Sequence, residues 1–336
     1  MRMRTTAILA ALFAAAILAA PAQAALVYVK GAGGAEPAVY VATDKGQDAR
    51  RLGIGRAPTI SPDGQWVAFV TVPSGASELE AVVLQKLEAG SQRLVMRSRS
   101  FASLRFSPDS SKLGAIAGGR RVRVYDVSSG RLHVAAQGPI RGYSFSPDSK
   151  SIVVGKAEKD RLQAPSDLYT GPAVGGRPLV RITDLGRALN PVWGPQEIVF
   201  DRFKRRRHDA PAYNLWAVDP AGGALRRLTN LMIPKLVSGL VPLEVSADSR
   251  RLLTVLTGQN TELGFTVAMR TGKSRALSDD FETGLVGFDL SADGRRVLAH
   301  TGGWDPAGAH DVVSVPYRGG APKVLVEDAA YPDWTR

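Results

Sequence analysis

A short phrase that recurs at intervals of about 45 residues constrains the fold of this 336-residue chain more than any other feature. Complete copies read as an apolar residue, Ser-Pro-Asp, and then Gly or Ser. Degenerate copies follow, and the chain ends in a half copy at 332–335. The apolar residues that mark the copies are Ile60, Phe106, Phe145, Trp193, Val245, Leu290 and Trp334. Repeats of this length are typical of propellers and solenoids.

The content of each repeat distinguishes these two architectures. A strand-like run such as 66–70 follows the phrase, and then come an alternating run such as 214–218, a glycine turn such as 219–223, and a third run such as 226–229. With the segment that leads into the next phrase, each repeat provides four strands. No segment after residue 24 keeps a helical period. The sequence therefore predicts an all-β propeller of four-stranded blades.

Seven repeats predict seven blades, and six would result if one unit is irregular. The segment 25–59 has three strand-like runs but lacks the opening phrase, which the half copy at 332–335 supplies. We therefore expect the C-terminal strand to join the first blade and to close the ring, which removes two free sheet edges. The aspartates of the phrase should be turn residues, and the apolar residue before each phrase should pack between blades.

The first 24 residues are typical of a secretory signal peptide. Arg2 and Arg4 precede an apolar run over 7–20, and the small-residue pattern Ala22-Gln23-Ala24 predicts cleavage after Ala24. The run is shorter than the roughly 20 residues that span a bilayer, and no later segment approaches that length. We expect one domain over 25–336, no integral membrane segment after cleavage, and a periplasmic or extracellular location.

Composition excludes several kinds of chemistry. The chain has no cysteine, so it has no disulfide, thiolate metal site or cysteine nucleophile. It has only four histidines, and its formal net charge is +12, which favours acidic partners. The sequence contains no Gly-x-Ser-x-Gly nucleophile motif and no phosphate-binding loop with the required Lys-Ser/Thr. We therefore expect no catalytic residue and no cofactor.

The repeat resembles that of the TolB-like propeller family. The resemblance rests on Ser-Pro-Asp-Gly after an apolar residue and on the run from Trp216 to Thr229, which carries an aromatic strand, Asp-x-x-Gly-Gly and Arg-Arg-Leu-Thr. It covers nearly all of the chain after residue 24. The family's named member is a periplasmic propeller that binds other envelope proteins, so the resemblance implies a noncatalytic role. We expect this chain to depart from that member in two ways, with no separate N-terminal domain and with seven units instead of six.

The longest repeat contains a basic segment that is the candidate binding site. This segment lies in a long loop between neighbouring strands of one blade, where its cations suit a carboxylate, a phosphate or an anionic polymer, and an aromatic ring adds stacking. A solvated loop whose arginines pair with Asp201 and Asp209 is the alternative interpretation. The candidate binding residues are Arg202, Lys204, Arg205, Arg206, Arg207, His208 and Tyr213.

Two functions remain open from the sequence. The first is an exported, monomeric, noncatalytic propeller whose loops on one face bind a partner protein or an anionic envelope polymer, with nucleic acid not expected. The alternative is a metal-dependent lyase that acts on acidic saccharides in the central channel. His300 and His310 fall in one repeat and His133 in another. Metal sites normally need three converging ligands, so we expect ordinary surface histidines and no metal site.

Overall fold

The computed structural model describes residues 25–71, 75, 79–161, 164–204, 212–234, 237–278, 284–303, 305 and 308–335, with the backbone alone at Lys204. The expected signal peptide at 1–24 lies outside this part of the chain. The described residues form 28 strands. Among them there is no helix long and apolar enough to cross a membrane.

The strands form seven blades of four antiparallel strands each. Blade 1 contains β1 (Ala25–Lys30), β2 (Ala38–Thr43) and β3 (Arg50–Ile54). Blade 2 contains β4 (Arg56–Ile60), β5 (Trp66–Val70), β6 (Glu80–Lys86) and β7 (Gln92–Ser98). Blade 3 contains β8 (Phe101–Phe106), β9 (Lys112–Ala117), β10 (Arg121–Asp126) and β11 (Leu132–Gln137). Blade 4 contains β12 (Ile140–Phe145), β13 (Ser151–Ala157), β14 (Ser166–Pro172) and β15 (Val180–Arg181).

The remaining blades follow the same order along the chain. Blade 5 contains β16 (Ala188–Trp193), β17 (Ile198–Lys204), β18 (Ala212–Val218) and β19 (Arg226–Arg227). Blade 6 contains β20 (Val237–Val245), β21 (Arg251–Gly258), β22 (Thr261–Ala268) and β23 (Ser274–Ala276). Blade 7 contains β24 (Val286–Leu290), β25 (Arg296–His300), β26 (Val312–Pro316) and β27 (Lys323–Val326). The last strand is β28 (Ala329–Trp334).

Strand β28 completes blade 1 by pairing antiparallel with β1, which brings the two ends of the described chain into one sheet. The prediction that the C-terminal strand joins the first blade is therefore confirmed, and so is the count of seven blades. Blades 5 and 6 are also linked by one parallel bridge between Tyr213 and Gly239. This bridge requires glycine at position 239, because a Cβ there would overlap the backbone of Tyr213.

Seven apolar clusters hold the blades together, one at each junction between neighbours. The first contains Val27 of blade 1 and Ile60 of blade 2, and the seventh contains Leu26 of blade 1 and Leu298 of blade 7. Each apolar residue that precedes a phrase belongs to one of these clusters or packs against it. The expected packing between blades is therefore confirmed, and it stabilises the ring by removing apolar surface from water.

The repeated phrase forms a hydrogen-bonded turn between the first and second strands of a blade. In blade 4, the Ser146 hydroxyl donates to Asp148 over 2.6 Å, and Asp148 accepts a second bond from the Lys150 amide over 3.1 Å. The Ser146 bond, followed by the Lys150 bond, lowers the pKa of Asp148. The same pattern recurs in the other copies, which confirms the turn role of the aspartates.

These turns define one end of the propeller, which we call the Asp-turn end. Neighbouring turns touch there: the Asp63 amide donates to the Ser110 hydroxyl of the next blade, and the Asp109 amide to that of Ser149. Because successive strands are antiparallel, the turns between second and third strands lie at the opposite end, together with the connections to the next blade. We call this opposite end the connection end.

Candidate binding surface on the connection end

The predicted basic loop joins β17 to β18, the second and third strands of blade 5, and so belongs to the connection end. The structure describes Arg202, the backbone of Lys204, and Tyr213. Arg205, Arg206, Arg207 and His208 lie outside the described residues.

Arg202 and Tyr213 lie on opposite faces of the blade 5 sheet. Side chains alternate along a strand, and Arg202 shares the face of Phe200, which packs in the cluster between blades 4 and 5. Tyr213 shares the other face with Phe203, and the two ring centres are 5.6 Å apart. The described candidate residues therefore flank the edge of one sheet and do not converge on one point.

Two arginines at this edge are each stacked on an aromatic ring. The Arg202 guanidinium lies 4.7 Å from the centre of the Trp216 ring. Arg187, which precedes β16, lies 4.9 Å from the centre of the Phe203 ring. Stacking of this kind fixes a guanidinium while leaving its N–H groups free to donate. The sequence analysis did not identify Arg187. Its position directly before β16, in the blade that carries the basic loop, was the signal that could have indicated it.

The charges of these two arginines are not neutralised by any carboxylate that the structure describes. Burial lowers the pKa of Arg202, and the positive charge of Arg187 lowers it further, whereas Asp167 raises it. Across the described part of the chain, neither guanidinium has a carboxylate within ion-pair distance. Two adjacent cations without a counter-ion, each held in place by a ring, form a surface suited to an anion.

Asp167 holds the connection that positions Arg187. Its carboxylate accepts bonds from the Thr183 hydroxyl over 2.8 Å, from the Leu185 amide over 2.7 Å, and from the Gly186 amide over 3.2 Å. It also forms an ion pair with Arg181. The Asp167 carboxylate, whose charge acts on Arg202, therefore already accepts hydrogen bonds from other donors.

Asp201, next to Arg202 in the sequence, is fully buried on the opposite face of the sheet. One carboxylate oxygen accepts a bond of 3.3 Å from Asn190, and the other has no hydrogen-bond partner among the described residues. Burial raises the pKa of Asp201 to about 7, against a smaller opposing effect of Asn190. Below pH 7 this group is therefore mostly protonated and adds little negative charge beside the arginines.

Charge is segregated around the connection end. The part contributed by blades 3–5, including the connection that enters blade 3, is named here the cationic sector. Its described basic positions are Arg99, Arg120, Arg121, Arg141, Lys156, Lys159, Arg161, Arg181, Arg187, Arg202 and Lys204. Besides the buried Asp201, its described acidic residues are Glu158, Asp160, Asp167 and Asp184. Three of these four acids are paired with Arg120 or Arg181.

The opposite part, contributed by blades 6, 7 and 1, is named here the acidic sector. Its described acidic residues are Glu36, Glu262, Asp305, Asp311, Glu327 and Asp328. Lys30 is the one lysine or arginine that the structure describes there. The described residues of these two sectors therefore carry an excess of opposite charge.

The expectation that the histidines lie on the surface is wrong for two of them. His300 and His310 are 2% and 5% exposed, and their Nδ1 atoms are 3.2 Å apart. Both Nδ1 atoms face the Thr301 carbonyl, and His310 Nε2 lies 2.6 Å from the Asp305 carbonyl. Burial lowers the pKa of His300 to about 4. Both rings pack in the junction of blades 7 and 1, and His300 is neutral at pH 7.

His133 lies in β11 of blade 3, far along the ring from the His300–His310 pair. Across the described residues, no group of three His, Asp or Glu side chains is placed to hold a metal ion. A cavity of about 280 Å³ beside His310 is lined largely by glycine and alanine, including Gly31, Gly34 and Ala330. The side chains at this junction that could ligate a metal are two imidazole rings, and the Nδ1 atoms of both are directed at the Thr301 carbonyl.

Comparison with known proteins identifies the fold. No family model and no curated protein matches the sequence. Among solved structures, TolB from Acinetobacter baumannii is 16% identical over 94% of this chain and 67% of its own, with a TM-score of 0.55. The propeller domain of the Trilobed protease from Pyrococcus furiosus is 15% identical over 90% of this chain and 94% of its own, with a TM-score of 0.67.

An oligogalacturonate lyase in complex with manganese is also similar, with 15% identity over 90% of this chain and 83% of its own and a TM-score of 0.61. These similarities support a TolB-like propeller fold. Because the neighbours include TolB as well as a lyase and a protease, the fold alone does not choose between a binding protein and an enzyme.

Proposed function

We propose that this chain is an exported, monomeric, noncatalytic propeller that binds an anionic partner through the cationic sector of its connection end. The observation that carries the proposal is the pair of ring-stacked arginines, Arg187 and Arg202, which lack a carboxylate partner within the described residues. Two guanidinium groups that are held in place before a ligand arrives form a preorganised site for an anion.

The amino-acid sequence of the basic loop supports this proposal. The segment between the described ends of β17 and β18 includes Arg205, Arg206, Arg207 and His208. We propose that these residues extend the surface on which Arg202, Lys204 and Tyr213 lie. The rigid sheet edge would fix the position of the first contacts, and the loop would add further cations.

Export is part of the same proposal. It rests on the signal-like pattern before Ala25 and on the similarity of the fold to TolB. Expression of the full chain, followed by fractionation and mass spectrometry of its N-terminus, tests it. A mature N-terminus at Ala25 in the periplasm or medium is expected, and an intact Met1 in the cytoplasm would contradict it.

The lyase alternative needs a metal in the central channel, and the described residues fit one poorly. The Nδ1 atoms of His300 and His310 are directed at the Thr301 carbonyl, and a third side-chain ligand is missing from the part of the chain described here. The described residues therefore give no arrangement from which a metal-dependent step follows.

Binding of defined anions by the purified protein tests the proposed function. The probes are oligomeric alginate, an acidic peptide, and neutral dextran as the uncharged reference, measured by titration calorimetry at two salt concentrations. At least one anion should bind, and binding should weaken with salt because exposed charges are screened. No salt-sensitive binding of either anion would refute the proposal.

Matched variants locate the site. The Arg187→Gln/Arg202→Gln variant should bind the anion about thirtyfold more weakly, since it loses two charge-assisted contacts of about 1 kcal/mol each. The Arg250→Gln/Arg270→Gln variant has the same change in charge at the exposed Asp-turn end. This control should bind like the unmodified protein. Equal losses in both variants would show that net charge alone, and not the cationic sector, drives binding.

A further inference from the structure

We infer that the partner of the cationic sector is a linear anionic polysaccharide that lies across blades 3–5. This inference rests on the proposed function and names the class of its partner. It depends on three features of the described residues: what the sector lacks, how its cations are held, and what borders it.

Among the described residues, the cations of the sector are not interleaved with exposed large apolar side chains. Those nearest the sector lie at its border: Leu132, Val134 and Val180 on outermost strands, and Met232 on the connection that leaves blade 5. None of those described lies between the cations of the sector. Protein interfaces draw most of their binding energy from buried aromatic, aliphatic and arginine anchors. A surface whose described part presents mainly cations suits a polyanion better than a folded protein.

Three aromatic rings of the sector are covered by its own cations. The Lys156 ammonium lies 5.8 Å from the centre of the Tyr169 ring, and the rings of Phe203 and Trp216 carry Arg187 and Arg202. These three rings are therefore less accessible to a partner's apolar groups, whereas the half-buried ring of Tyr213 packs on that of Phe203. Their effect is to hold the cations at fixed positions along blades 4 and 5.

Fixed cations favour a stiff ligand. A ligand that is already close to its bound shape loses less conformational freedom when it binds. A polyuronate chain carries carboxylates on rigid sugar rings at regular spacing, whereas an acidic peptide is a flexible coil that must be ordered. The fixed array therefore favours the polysaccharide at equal charge.

The acidic sector limits where such a chain lies. Glu262, Asp305, Glu327 and Asp328 repel a polyanion from blades 6, 7 and 1. A long anionic chain therefore crosses the ring over blades 3–5 and does not encircle the channel. This predicts a site that is saturated by a short oligomer.

The test compares three probes of matched length with the full purified protein. These are an alginate oligomer, a poly-L-glutamate of the same charge, and an acidic peptide of the same charge that also carries leucine and phenylalanine. We expect alginate to bind at least about tenfold more tightly than either peptide, and to lose that advantage in the Lys156→Gln/Arg187→Gln/Arg202→Gln variant. The Arg250→Gln/Arg270→Gln variant is the control, and circular dichroism verifies that both variants are folded.

The outcomes separate this inference from the function on which it rests. Tighter binding of the leucine- and phenylalanine-bearing peptide would overturn the inference and identify a protein partner, while the anion-binding function would stand. Equal binding of alginate and poly-L-glutamate would also overturn the preference for a polysaccharide. Loss of binding to all three probes would remove both proposals.

Discussion

Replacing Asp201 by asparagine should stabilise the protein at pH 8 and leave its stability almost unchanged at pH 4. Asp201 is fully buried, and its folded-state pKa is raised to about 7 by burial. An unfolded aspartate has a pKa of about 3.9. Between these two values the folded protein keeps a proton that the unfolded chain has lost, so the free energy of unfolding decreases as the pH rises from about 4 to about 7.

The size of the effect follows from the difference between the two pKa values. Each unit corresponds to about 1.4 kcal/mol, so ionisation of Asp201 costs the folded state about 4 kcal/mol above pH 7. Asparagine has nearly the same shape, retains an oxygen that accepts the bond from Asn190, and does not ionise. The Asp201→Asn variant should therefore gain up to about 4 kcal/mol relative to the unmodified protein at pH 8.

Urea unfolding at pH 4 and pH 8, with both proteins measured side by side, checks this prediction. The Asp148→Asn variant is the matched control because its carboxylate accepts bonds from Ser146 and Lys150, and its pKa is lowered. That variant should lose stability at pH 8 and not gain it. A difference between the Asp201→Asn variant and the unmodified protein that does not change with pH would refute the reasoning.

Three further predictions concern the fold. Gly272→Ala should cost about 3 kcal/mol or more, because φ is +69° and a Cβ would overlap the Leu228 carbonyl oxygen; the urea midpoint measures it. Ser249→Gly should raise the free energy of unfolding by about 1 kcal/mol in the same assay, because Ser249 has φ of +55° and its hydroxyl has no partner among the described residues. Ser110→Gly should raise it less, because the Ser110 hydroxyl accepts a hydrogen bond from the neighbouring blade. His300→Gln should reduce the loss of stability that occurs as the pH falls from 6.5 to 4. In that range the unfolded chain binds a proton at His300, whereas the folded protein, in which the pKa of His300 is about 4, does not. Unchanged pH dependence in thermal unfolding would contradict this.

The repeat contained enough information to predict the architecture. The copies at Ile60 and Phe106 each combine a turn with an apolar residue that packs between blades, and the half copy at 332–335 indicated where the last strand pairs. Both features are local, since a turn and its neighbouring strand are encoded within a few residues. The prediction therefore did not depend on distances across the fold.

The candidate site could be predicted only in part, because side-chain convergence depends on which face of a sheet each residue occupies. Arg202 and Tyr213 are close in the fold but lie on opposite faces of β17 and β18, which the basic run did not reveal. Arg187 enters the site from the preceding connection and is recognised only when its ring partner is known. His300 and His310 were expected at the surface, but packing between blades 7 and 1 buries them.

The most direct test of the central claim is the affinity of the purified protein for an alginate oligomer, measured at about 50 mM and about 300 mM salt. The account predicts binding that weakens steeply with salt, and a shallower dependence when Arg187 and Arg202 are both changed to glutamine. It predicts no such change for the Arg250→Gln/Arg270→Gln control at the other end of the propeller. Salt-sensitive binding that survives the loss of Arg187 and Arg202 but not the control substitutions would contradict the account.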